Sequence, residues 1–460
     1  MMTHNNRSHH SAVSVTTSQL PQSPQNADGT QPSLTTTEMK RILLSSFLGS
    51  MIEFYDFVLY ATAASLVFAQ VFFSDLGPGF ALFASIATFS VGYLARTLGG
   101  IIFGHFGDTR GRKVVLVLSL VLMGVASTLI GLLPTTAQVG IIAPIALVFL
   151  RIVQGISVGG EWGGAILMAL EHAPKKDRGF AAGFANAGGP VGAVLATLML
   201  GLFSMLPEEQ FLSWGWRIPF LFSVVLVAIG LIIRLKVAES PKYQQLEKLS
   251  EKKRVPLVSV LRGHWRAVLI SLVAVLAFTT TQGLMTVWGV AEAAENGADR
   301  TGILNWKAVG AGVTVFVSLA SARLSDRVGR RTMITIGCVL GVLLAFPIIL
   351  LLETGTVWGF AVALILGNGV VQGLVYGPLA AFVAEQFPTQ LRFSGASLAY
   401  QTGSTLGAGL SPLIATGLAL SFGGNWPIAV FWALVLVASL IAVRIAPEGK
   451  NIDIHLDARS

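Results

Sequence analysis

Gly104-His-Phe-Gly-Asp108-Thr-Arg-Gly111-Arg112-Lys113 returns further along the chain as Ala322-Arg-Leu-Ser-Asp326-Arg-Val-Gly329-Arg330-Arg331, a shift of 218 positions from Asp108 to Asp326. The same shift carries Val153-Gln154-Gly155, with Gly159, onto Val371-Gln372-Gly373, with Gly377. A polar joint and an apolar segment that repeat in one register mean that the chain is built from two copies of one unit.

The surroundings of these repeats name the solvent. Of 460 residues, 53% are hydrophobic and only 12% are charged, and the mean hydropathy is +0.71. A soluble domain carries about twice that share of charge. Beyond residue 41, apolar stretches follow one another, each about the 20 residues that cross a bilayer, for about twelve spans. The expected fold is therefore an all-α membrane protein with twelve transmembrane helices in two six-helix pseudo-repeats, at 42–236 and 266–446. A polar linker, 237–265, joins them. The flanks are a Ser-, Thr- and Gln-rich tail over 1–41, expected to be disordered, and a short tail over 447–460. Duplicated halves of this kind are the plan of parallel-repeat transporters.

A pI near 9.7 suggests nucleic acid in a soluble protein, but here the cations sit in joints between spans, where they set topology. Arg110, Arg112, Lys113, Lys175, Arg327 and Arg330 fall on one side. The opposite joints carry Asp75, Glu208, Glu295 and Asp299, with Arg217, Arg300 and Lys307 as their only cations. Both termini are expected in the cytoplasm. One cysteine, Cys338, lies in an apolar run and supplies neither a disulfide framework nor a cysteine metal site. His172 and His264 stand alone, and neither a His-Glu-x-x-His motif nor a phosphate loop occurs, so the sequence gives no catalytic constellation, metal site or cofactor site. A receptor would need an output domain, which this sequence does not contain.

Charges within spans need a partner, water or a function, because each costs about 2.5–3.5 kcal/mol or more at the bilayer centre. Glu53, Asp56 and Tyr60 fall at spacings that put them on one face of the first span. A carboxyl group that alternates between burial and water can carry a proton. Asp56 is the first choice for that role, with Glu53 and Glu161 beside it; the alternative is that Asp56 pairs with an Arg and holds helices together. Arg96 and Arg151 are the Arg residues well inside spans, where a guanidinium takes a substrate carboxylate through two hydrogen bonds; the alternative is a permanent pair of Arg151 with Asp56 or Glu161. Gln154, Asn186, Gln282, Gln372, Tyr376 and Gln401 are mid-span polar groups that either meet substrate or tie helices together. Tyr93 and Trp162 either stack on a ring or simply pack. Gly155, Gly159 and Gly163 recur every four residues, a spacing that lets another helix approach the backbone.

With Asp, Gly and Arg at fixed offsets, the repeated joint resembles the hallmark of the major facilitator superfamily. Glu53-Phe-Tyr-Asp56-Phe, Arg96-Thr-Leu-Gly99-Gly100, Arg151-Ile-Val-Gln154-Gly155 and Gly159-Gly160-Glu161-Trp162-Gly163-Gly164-Ala165 resemble its metabolite:proton symporter family. Ser213-Trp214-Gly215-Trp216-Arg217-Ile218-Pro219-Phe220 looks closest to the shikimate-transporter branch. The resemblance implies proton-coupled uptake of a small organic acid, such as shikimate, by alternating access in a bacterial-type plasma (inner) membrane. A single chain would suffice, driven by the proton gradient and binding no nucleic acid. It also implies that Gly104, Asp108, Gly111, Arg112, Asp326, Arg327, Gly329 and Arg330 form breakable contacts closing the cytoplasmic face. Two other readings stay open: an osmolyte (betaine or proline) importer, although no heptad-bearing extension follows the last span, and an uncoupled facilitator of the same fold.

Overall fold

The computed structural model describes residue 1 and residues 36–110, 112–159, 177–236, 260, 262–388 and 391–449. Most of the two expected tails and of the linker 237–265 lies outside the described residues, while helix already begins at Thr36, inside the range read as the first tail. In hydrocarbon every backbone N–H and C=O must be satisfied within the protein, and helices do this span by span. Accordingly, no strand occurs among the described residues.

Ten helices among them are long and apolar enough to cross a membrane, and two shorter apolar ones, Val117–Leu132 and Ile142–Val158, bring the set to twelve. In chain order they are α1 (Thr36–Leu66), α2 (Pro78–Arg110), α3 (Arg112–Leu132), α4 (Ile142–Val158), α5 (Arg178–Ser204) and α6 (Arg217–Lys236). The second six are α7 (Trp265–Glu295), α8 (Arg300–Val328), α9 (Arg330–Glu353), α10 (Val357–Glu385), α11 (Ser394–Phe422) and α12 (Trp426–Ile445). Helices α3, α6, α9 and α12 turn large apolar side chains outward, among them Leu129, Ile229, Leu343, Leu350, Leu434 and Ile441. These are lipid-facing surfaces. The two sets of six meet where α1 packs on α7, α2 on α11, and α5 on both α8 and α10.

Small residues set the spacing inside the first six. A methyl group on Gly155 of α4, or on Gly159 just beyond its end, would collide with the backbone of α2 at Gly92, Gly99 and Gly100, so the two helices cross in backbone contact. Gly163 lies outside the described residues. The Trp216-Arg217 motif has a structural use: Trp216 is fully buried against Phe68, Phe72 and Phe220. The Arg217 guanidinium donates to the carbonyls of Gly131, at 3.0 Å, and Leu133. It thereby satisfies acceptors that the end of α3 leaves without helical partners.

Three inner helices of the second half are locally unwound into wider π turns, Leu284–Trp288 in α7, Ile365–Gln372 in α10 and Thr405–Gly409 in α11. Such turns re-aim side chains and recur at functional sites. Here all three border the central cavity.

Candidate functional site

Two adjoining lobes, one somewhat larger than the other, occupy the middle of the bundle. Phe54 and Val58 of α1 and Gln282 and Thr286 of α7 line both lobes, so each lobe has a wall from either half. The smaller lobe adds Glu53, Tyr93 and Arg96; the larger adds Lys307, Thr314, Asn368, Gln372 and Tyr376. None of the lining residues comes from the lipid-facing helices α3, α6, α9 and α12.

On the wall of the smaller lobe, Arg96 Nη2 lies 2.5 Å from Glu53 Oε1, with both side chains almost wholly buried. The guanidinium also donates from Nε to Gln401 Oε1 at 2.5 Å, and Gln401 Nε2 donates to the carbonyl of Gly159 at 3.2 Å. Arg96 is thus neutralised by α1 and tied to α11 of the other half. Tyr93 and Phe57 lie against it, with ring centroids 5.9 and 5.3 Å from its guanidinium carbon.

Asp56 is also buried but lines neither lobe. Its Oδ1 accepts from Ser223 of α6 at 2.6 Å, while Tyr60 donates to Thr88 of α2 at 2.7 Å. Although Glu53, Asp56 and Tyr60 share one side of α1, they therefore serve three different neighbours. Arg151 sits in an aromatic cage with its guanidinium carbon 4.0 Å from the Tyr60 ring and 4.4 Å from that of Phe57. It donates to Gln154 at 2.6 Å, and Gln154 donates to Ser127 at 2.7 Å. No salt bridge joins Arg151 to Asp56. Neither Arg151 nor Gln154 lines a lobe.

The ends of the bundle hold contacts between the halves. At the end that carries the basic joints, Asp326 accepts from the backbone N–H groups of Gly179 and Phe180, at 3.0 and 2.9 Å, in the first turn of α5. A carboxylate suits the positive end of a helix. Arg330 Nη1 holds that carboxylate at 2.7 Å, and Nη2 reaches Glu385 at 3.4 Å. Between α8 and α9, Gly329 has φ 104°, a conformation that disfavours side chains and explains the Gly of the motif. In the first copy, Gly104 and Asp108 lie in the last turns of α2 and Arg112 opens α3. The side chains of that copy, as well as Gly111, Glu161 and Trp162, lie outside the described residues.

At the opposite end, Ser65 of α1 donates to the carbonyl of Val287 in α7 at 3.1 Å. Lys307 corrects the sequence reading, which counted it among the loop cations. It lies within α8, only 2% exposed, and its Nζ donates to Thr62 of α1 and, at 3.1 Å, to the carbonyl of Thr286. One cation in a polar neighbourhood at a helix end reads as a loop residue; only the fold reveals the cavity beneath it.

Of the remaining polar choices, Gln282, Gln372 and Tyr376 face the larger lobe, where Gln372 accepts from Asn368 at 2.6 Å. Asn186 offers its carbonyl to Tyr376, at 3.1 Å, across the halves.

Residues 46–400 match the profile of the Major Facilitator Superfamily. The chain belongs to the major facilitator superfamily. Within this superfamily it is 38% identical, over 416 residues, to the shikimate transporter of Escherichia coli (strain K12), a match covering 89% of this chain and 95% of that one. It is 39% identical over 420 residues to the inner membrane metabolite transport protein YhjE of the same strain, covering 89% and 94%. Its fold is that of the superfamily's xylose transporter XylE from E. coli in a partially occluded inward-open conformation: the TM-score is 0.71 over 91% of this chain and 100% of the other, at 16% identity. This major facilitator protein is accordingly a multi-pass membrane transporter.

Proposed function

We propose that the transporter takes up a small organic acid together with a proton, and that the buried Glu53–Arg96 pair couples the two. The carrying observation is the position of this pair on the cavity wall, 2.5 Å apart and tied to the other half through Gln401. A proton on Glu53 removes the charge that holds Arg96, whose guanidinium then takes a carboxylate from the cavity. Loss of that proton restores the pair and displaces the carboxylate. Substrate and proton therefore bind and leave together. Asp56, the first choice from sequence, contacts Ser223 away from both lobes, which favours a role in fastening α1 to α6.

Relatives named as a shikimate transporter and a metabolite transport protein support a carboxylate cargo. A proton carried with the anion also offsets about 2.3 kcal/mol per charge per 100 mV of inside-negative potential. In this reading two six-helix units, 42–236 and 266–446, rock about the cavity, as a monomer in the inner membrane with both termini in the cytoplasm. The Asp326–α5 contact closes the cytoplasmic face, the end with the basic joints. The proton gradient drives the cycle without a cofactor.

The test is reconstitution into liposomes with a pH-sensitive dye inside and addition of shikimate, 2-oxoglutarate, citrate and betaine in turn. Acidification on adding one of the acids, absent from empty vesicles, supports proton symport. Uptake of labelled acid without acidification points to a facilitator, and uptake of betaine alone to an osmolyte carrier.

A further inference from the structure

Lys307 sits seven residues into α8, about 10 Å along the helix from its first residue, Arg300. There it is 2% exposed. A buried ammonium ordinarily has an acidic partner, yet no described acidic side chain forms an ion pair with Lys307. Its two bonds go to the neutral Thr62 hydroxyl and Thr286 carbonyl, and an ammonium has three donors.

The cavity has a matching imbalance of charge. The acidic and basic side chains lining its two lobes are Glu53, Arg96 and Lys307. Glu53 cancels Arg96, which leaves the walls at +1, carried by Lys307. Protonation of Glu53 raises that charge further, so in either state the walls are net positive, which an anion offsets and a zwitterion does not. Beside Lys307 in the larger lobe stand Gln282, Thr314, Asn368 and Gln372, amide and hydroxyl groups suited to hydroxyl or oxo substituents.

Thr62 belongs to α1 of the first half and Lys307 to α8 of the second, so this bond crosses between the halves near the end opposite the basic joints. An anion in the lobe competes with Thr62 for the ammonium. A lysine suits such an exchange, because its charge is compact and its stem flexible.

We infer that Lys307 is the carboxylate receptor contributed by the second half, and that the substrate anion replaces Thr62 on its ammonium, releasing a contact between the halves as the site fills. The inference rests on the organic-acid reading and deepens it. Arg96 becomes available only when Glu53 is protonated, whereas Lys307 is available throughout. It therefore sets selectivity for anions.

The experiment is calorimetric titration of the purified full-length protein with shikimate, 2-oxoglutarate and citrate, and with the uncharged methyl ester of whichever acid binds. Lys307→Met should weaken binding of the acid at least tenfold and abolish the preference over its ester, with Lys307→Arg retaining that preference. Thr62→Val, which removes the competitor but keeps the shape, should bind the acid more tightly than wild type. A structural brace would not give that gain. Undiminished binding to Lys307→Met, or unchanged or weaker binding to Thr62→Val, overturns the inference. If Lys307→Met fails to fold, Thr62→Val alone decides. Failure of the wild type to bind any of the three acids sinks the organic-acid reading itself.

Discussion

Glu53 of α1 and Arg96 of α2 form an ion pair of 2.5 Å in the wall of the cavity, and through Gln401 the same guanidinium reaches the opposite half of the molecule. In the proposed coupling, the proton on Glu53, the anion on Arg96 and the inter-half contact through Gln401 meet at this pair.

Removing only one partner of this pair should be costly, because it strands a buried charge; the usual penalty is about 3–5 kcal/mol. Arg96→Gln is expected to lower the unfolding temperature in detergent and to abolish uptake. Adding Glu53→Gln should restore stability without restoring uptake. Equal stability of the single and double variants would contradict a tight pair.

Asp56→Asn keeps the shape beside Ser223. The expected result is a modest loss of thermal stability and a reduced uptake rate, with acid-driven proton entry still present in dye-loaded vesicles. Loss of proton entry alongside intact substrate exchange would return the proton to Asp56.

At the basic end, Asp326→Ala removes the acceptor for two backbone N–H groups of α5 and leaves the Arg330 guanidinium with Ser325 and the more distant Glu385 carboxylate. Uptake in vesicles should fall by about tenfold or more, because the occluded state loses a charge-assisted contact of about 1.5–3 kcal/mol per hydrogen bond. Unchanged uptake would mean that this contact is decorative.

Gly155→Val places a branched side chain against the backbone of Gly92. Overpacking of this kind typically costs about 1–3 kcal/mol. The protein should show a lowered melting temperature, and a melting temperature equal to wild type would argue against the close crossing of α2 and α4.

Much of this was legible in the chain. The repeated Asp-x-x-Gly-Arg joint and the apolar runs sufficed for a duplicated twelve-helix bundle, because hydrocarbon leaves the backbone few alternatives. Glu53, Arg96 and Gln401 were recognisable as unusual because charges and amides within spans are expensive. What spacing could not supply was direction. Glu53 and Asp56, three residues apart, point about 60° away from each other around the helix axis, enough to send one to the cavity and the other to α6. Lys307 was misread for a related reason: it stands in the first turns of α8, and only its reach to Thr62 of α1 and Thr286 of α7 reveals that the side chain is buried. Arg217 likewise looked like a topological marker and proves to cap α3.

The most direct test of coupling compares two assays on Glu53→Gln in proteoliposomes: exchange of labelled organic acid between equal concentrations on the two sides, and uphill uptake driven by an imposed pH gradient. The account predicts that exchange persists, because Arg96 is permanently freed for the anion, while gradient-driven accumulation and acid-induced proton entry vanish. Accumulation at the wild-type level in that variant would contradict it.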